Sequence, residues 1–79
     1  MTRNEIFRIV DIFKNDGVDK VTGKKVNENT VYDFIDLIDE LVGFEGASEV
    51  IFAPEDYGLD KNATTEDIVN YLLKDVKIE

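Results

Sequence analysis

Cysteine, histidine and tryptophan are missing from this sequence, and proline and serine occur once each, as Pro54 and Ser48. Without cysteine no disulfide can brace the fold, and without histidine as well the usual ligands of a structural zinc are gone. The same gaps remove the Ser-His and Cys-His pairs on which nucleophilic catalysis depends, so an enzyme of that type is not expected. Long apolar runs are lacking too: nothing approaches the ~20 residues that span a bilayer. "MTRNEIFRIVDIF" carries Glu5 and Asp11 inside its apolar stretch, which does not suit a secretion signal. The expectation is a cytoplasmic protein with no membrane association. The glycines, at 17, 23, 43, 46 and 58, have the wrong spacing for a phosphate-binding loop. Base is scarce, with 9 Lys and Arg against 18 Asp and Glu and a net charge of −9. Such a surplus of acid repels phosphate backbones, so direct nucleic-acid binding is not expected. A basic protein surface is its natural complement, although solubility alone also accounts for acidic charge.

The remaining composition, 34% charged and 43% hydrophobic, is that of a folded domain, and 79 residues allow only one, spanning 1–79. A chain of this size buries roughly 60% of its unfolded surface, enough for one modest core. Thr2 and Glu5 have the spacing of a capping box, and Ile6, Ile9, Val10 and Phe13 then share one helical face. Asn15-Asp16-Gly17 ends that helix. Residues 15–29 are polar and lysine-rich; "TGKK" suits a hairpin turn, but the segment reads as a loop.

A second helix is predicted near 28–42. Val31, Phe34, Ile35, Ile38, Leu41 and Val42 follow the spacing of a core stripe. At about 100° per residue, Glu28, Tyr32, Ile35, Asp36 and Asp39 line one flank of that stripe, an aromatic and an aliphatic side chain among carboxylates. Asp33 and Glu40 face farther out. Gly43 ends this helix. Ser48 is placed to cap a single turn over Glu49–Ala53, which Pro54 stops by excluding its predecessor from the helical region. The result is a short apolar bump, Val50 to Ala53, fenced by Glu49, Glu55 and Asp56. Thr64 or Thr65 caps a last helix, whose apolar face holds Ile68, Val69, Tyr71, Leu72 and Val76. The predicted fold is all-α: a small, distorted, antiparallel four-helix bundle with a short third helix.

Neither cofactor nor metal is expected. The run Asp60 to Thr65 starts like a calcium loop, but its sixth position is Thr65 rather than glycine and its twelfth is Tyr71 rather than glutamate. Size, acidity and helix order also suit an acyl carrier protein, or a plain helical interaction module. A carrier needs a serine at the start of its second helix, where this chain reads "NENTVYDF".

Three segments in order carry a more specific likeness: "EIFRIVDIFKN", "VYDFIDLIDELVGFEGASEVIFAP" and "DIVNYLLK". Together they resemble the small immunity proteins that neutralise nuclease-type colicins and S-type pyocins. The likeness covers most of the chain except the lysine-rich loop, which is longer here. It implies a non-enzymatic inhibitor that binds a cognate nuclease domain, a DNase in the first instance, as a one-to-one heterodimer. In that family the second helix supplies specificity and the third the shared affinity. By position the binding residues would be Glu28, Val31, Tyr32, Ile35, Asp36 and Asp39 on the second helix, with Glu49, Phe52, Ala53 and Pro54 on and after the third. The family's paired tyrosines fall on Phe52 and Ala53, which is a departure from its pattern.

Overall fold

A computed structural model describes residues 1–77. Four α-helices follow in order: α1 Arg3–Lys14, α2 Glu28–Val42, α3 Ala47–Phe52 and α4 Thr65–Leu73, with a 3₁₀ turn at Pro54–Tyr57 between the last two. The all-helical bundle with a short third helix is therefore what the chain forms. Among the described residues there is no strand, only a single antiparallel bridge between Val18 and Lys25.

Local chemistry sets the helix ends. Thr2 and Glu5 form the expected reciprocal box at the start of α1, and Thr64 and Asp67 form a second at the start of α4. Gly43 closes α2 in the left-handed conformation, with φ of 70°. The start of α3 departs from expectation. Ser48 makes no capping bond; Gly46 occupies the cap position with φ of 151°, and the helix begins at Ala47, two residues earlier than the serine would set it. Ser48 thus falls inside the first turn. A side chain at Gly46 would also stand 3.1 Å from the Phe44 ring.

α1 is the central element and packs against α2, α3 and α4. It runs antiparallel to α4: Arg3 reaches Glu66 and Asn70, Asp11 accepts from the Thr65 hydroxyl at 2.9 Å, and the Lys14 ammonium donates to the Ala63 carbonyl at 2.8 Å. Ile6, Val10, Ile38, Val50, Ile68 and Val69 are fully buried at the centre. α2 is covered on only one side. Phe34 and Leu41, expected in its core stripe, are each 36% exposed, because among the described residues no helix lies over that flank, where Leu37 is exposed as well.

The lysine-rich segment is a loop, as expected, closed on itself by backbone hydrogen bonds. Asp19 N–H donates to Lys24 O at 3.0 Å and Val26 N–H to Gly17 O at 2.8 Å, so the "TGKK" turn does close a small hairpin. Asp19 is buried and its carboxylate accepts from Arg8 Nε at 3.0 Å and from Val21 N–H at 2.9 Å, which pins the hairpin to α1. The Arg8 guanidinium, through that hydrogen bond, holds the Asp19 carboxyl below the ordinary carboxylate range against the opposing effect of burial.

Candidate protein-binding surface

The flank of α2 expected to bind a partner is split by the fold. Glu28, Tyr32 and Asp36 are exposed along one line, four residues apart, with Tyr32 45% exposed. Val31 and Ile35 are not on the surface: they are 6% and 2% exposed, and Ile35 belongs to the core against α1 and α3. The expectation that Ile35 contributes to a binding strip is corrected, since its angular position faces the neighbouring helices. Val31 survives only as part of a cleft wall.

Asp39 also has a different employment. Its Oδ1 accepts the Ala47 N–H at 2.9 Å and lies 3.4 Å from the Gly46 N–H. The half-buried carboxylate therefore caps α3 from the preceding helix, a task expected of Ser48. A negative charge at that position also complements the free N–H groups of the helix start.

α3 presents Glu49 and Phe52. Phe52 is 72% exposed, while Val50 and Ile51 on the same short helix are buried, so the apolar bump has one outward residue and two inward ones. Ala53 is half-buried with non-helical φ and ψ of −134° and 67°, as the following proline requires. Pro54 is buried and starts the 3₁₀ turn; it shapes the backbone and offers no contact surface. The Tyr57 hydroxyl donates to Glu49 Oε2 at 3.0 Å. This bond to a carboxylate, with some burial, raises the Tyr57 pKa.

Phe13 ties the two halves together. Its ring centroid is 4.9 Å from that of Phe52 and 5.8 Å from that of Tyr32, at steep interplanar angles of 65° and 84°. Such edge-to-face pairs add about 0.5–1.5 kcal/mol beyond burial of their area. Phe13, expected purely as core, thus positions both exposed rings. A cleft of about 300 Å³ opens beside them, with Asp16, Lys25 and Glu28 at its edge. Farther along α2, Asp36, Asp39, Glu40 and Glu45 border a second, shallow depression. The surface is therefore an aromatic corner set among carboxylates.

Sequence reasoning missed Phe13, Tyr57, Asp16 and Lys25 as parts of this surface. Their spacing along the chain carries no signal, because they are brought in from α1, the lysine-rich segment and the 3₁₀ turn. Among the described residues no group of His, Cys, Asp or Glu is arranged to hold a metal ion, and no helix is long and apolar enough to cross a membrane. No protein-family model, no curated protein and no solved structure matches the chain.

Proposed function

We propose that this chain is a bacteriocin immunity protein, a non-catalytic inhibitor that binds a cognate nuclease toxin domain one-to-one in the cytoplasm. The observation that carries the reading is Phe52. A phenylalanine 72% exposed on a six-residue helix, beside an exposed tyrosine and ringed by acid, has the form of an interface anchor. The resemblance to immunity proteins supports the same residue, since their shared-affinity position would fall there.

The contacting set is Glu28, Tyr32, Asp36, Glu49 and Phe52. Phe52 and Tyr32 supply the apolar anchor, and the carboxylates meet a basic surface, raising the rate of encounter and rejecting other partners more than they deepen affinity. Bound beside the toxin's active cleft, an acidic body of net charge −9 would repel incoming phosphates without touching the catalytic groups.

The test is to titrate the chain into the purified toxin domain encoded beside it while following cleavage of a short DNA and a short RNA. Activity should disappear at one equivalent. Complex formation that leaves both cleavage rates unchanged would sink the inhibitory reading. Absence of binding would sink the partner.

A further inference from the structure

The cleft beside Phe13 has a composition that selects one kind of side chain. At about 300 Å³ it stands at the lower limit for ligand pockets, suited to one long side chain rather than a cofactor. Phe13 and Val31 supply apolar walls, and the rings of Tyr32 and Phe52 border it. Two carboxylates, Glu28 and Asp16, line it against one ammonium, Lys25. Glu28 and Asp36 also lie four residues to either side of Tyr32, so the ring is bracketed by acid along α2. Apolar walls match methylenes, aromatic rings attract a cation, and carboxylates pair with it. Arginine suits this better than lysine, because its planar, weakly hydrated guanidinium stacks on rings and forks onto carboxylates.

We infer that this cleft receives one arginine side chain of the bound partner, its stem against Phe13 and Val31 and its guanidinium between Tyr32 and Glu28. The inference rests on the reading of this surface as a toxin-docking face. The chain's own arginines are already engaged. There are two, Arg3 paired with Glu66 and Asn70 and Arg8 with Asp19, which favours a partner's arginine over one from a second copy.

The experiment uses the full chain without any toxin. Isotope-labelled protein is titrated with acetyl-Gly-Arg-Gly-amide, and separately with its norleucine counterpart, while the ring signals of Tyr32 and Phe52 are followed by NMR. The arginine peptide should shift both rings and saturate in the millimolar range, with the norleucine peptide at least about tenfold weaker. Glu28→Gln should weaken the arginine response several-fold, and Lys25→Ala should strengthen it. Equal responses to the two peptides, or no response at the cleft, would overturn the inference. So would the same shifts appearing on concentrating the protein alone, which would put a second copy in the cleft. Toxin neutralisation without arginine-peptide binding removes the cleft proposal and leaves the immunity reading standing. Arginine-peptide binding without toxin binding does the reverse.

Discussion

Asp39, in the last turn of α2, accepts the backbone N–H of Ala47 at 2.9 Å, so one helix caps the start of the next. The bond spans the turn through Gly43 and Gly46 and fixes α3 against α2. Since α3 carries Phe52, the direction in which that ring projects depends on a carboxylate bound to the α3 backbone.

Replacing Asp39 should therefore act first on the fold. Asp39→Ala removes the cap and is expected to cost about 1 kcal/mol of stability, within the range of about 0.5–2 for lost caps. Asp39→Asn keeps an acceptor oxygen and should restore most of that loss while still lacking the charge. Chemical denaturation of the three proteins measures this. If Asp39→Ala were as stable as the parent and only its binding fell, Asp39 would be a contact residue after all. Ser48→Ala, by contrast, should leave stability unchanged within about 0.5 kcal/mol, as expected away from a cap or core.

Phe52→Ala separates anchor from plug. The ring is mostly exposed, and its packing against Phe13 is the principal internal contact it gives up, so stability should fall by no more than about 1 kcal/mol. Toxin affinity should fall by at least about 2 kcal/mol, roughly 30-fold, as for a hot-spot residue. Calorimetric binding beside thermal unfolding gives both numbers. A loss of stability as large as the loss of affinity would make Phe52 a plug.

Features set by near neighbours in the chain were legible without coordinates. The Thr2–Glu5 box, the Gly43 stop and the buried stripe of α1 each follow from spacing within one helix, as does that of α4 except for Val76, which lies beyond the helix end at Leu73. Ser48 shows where a local rule lost: the Gly46 conformation starts α3 at Ala47, which leaves the serine inside the turn and gives the capping role to Asp39. Exposure of Phe34 and Leu41 depends on which side of α2 its neighbours occupy, and periodicity does not say that an apolar arc is wider than its cover. The same reason hid Phe13, whose role comes from meeting Tyr32 and Phe52 across three elements.

The Arg8–Asp19 pair predicts an acid-sensitive contribution to stability. The Asp19 carboxyl titrates lower in the folded chain than in the unfolded one, chiefly through its hydrogen bond from Arg8. Its stabilisation is thus present above the ordinary aspartate value of about 4 and is lost as pH falls through the lower folded value. Asp19→Asn should melt below the parent at neutral pH, and the gap should close in strongly acidic solution. A gap independent of pH would show that the charge on Asp19 contributes nothing.

Tyr57 sets the position of Glu49 from the 3₁₀ turn. Its hydroxyl titrates higher in the folded chain because it donates to the Glu49 carboxylate. The contribution is present below the ordinary tyrosine value of about 10 and disappears as pH rises through the folded value. Tyr57→Phe should leave the helical circular dichroism intact and weaken toxin binding about three- to tenfold at neutral pH, by freeing Glu49, as a charged hydrogen bond of modest net worth allows. An unchanged affinity would mean that Glu49 lies outside the interface.

Salt should act on the encounter rather than on the anchored complex. α2 carries Glu28, Asp33, Asp36, Asp39 and Glu40 and no basic residue, within a chain of net charge −9. The field of such a helix reaches about 30 Å at 0.01 M salt but only about 8 Å at 0.15 M. Association with a basic toxin domain should slow at least about tenfold across that range, since steering multiplies on-rates by 10 to 10³. Dissociation should change far less, because leaving requires Phe52 to be rehydrated, a step that salt hardly touches. Asp36→Asn should lower the on-rate at low salt and have a smaller effect at high salt. Stopped-flow mixing over a salt series reads both rates, and an on-rate that ignores salt would mean that this acidic flank does not face a basic partner.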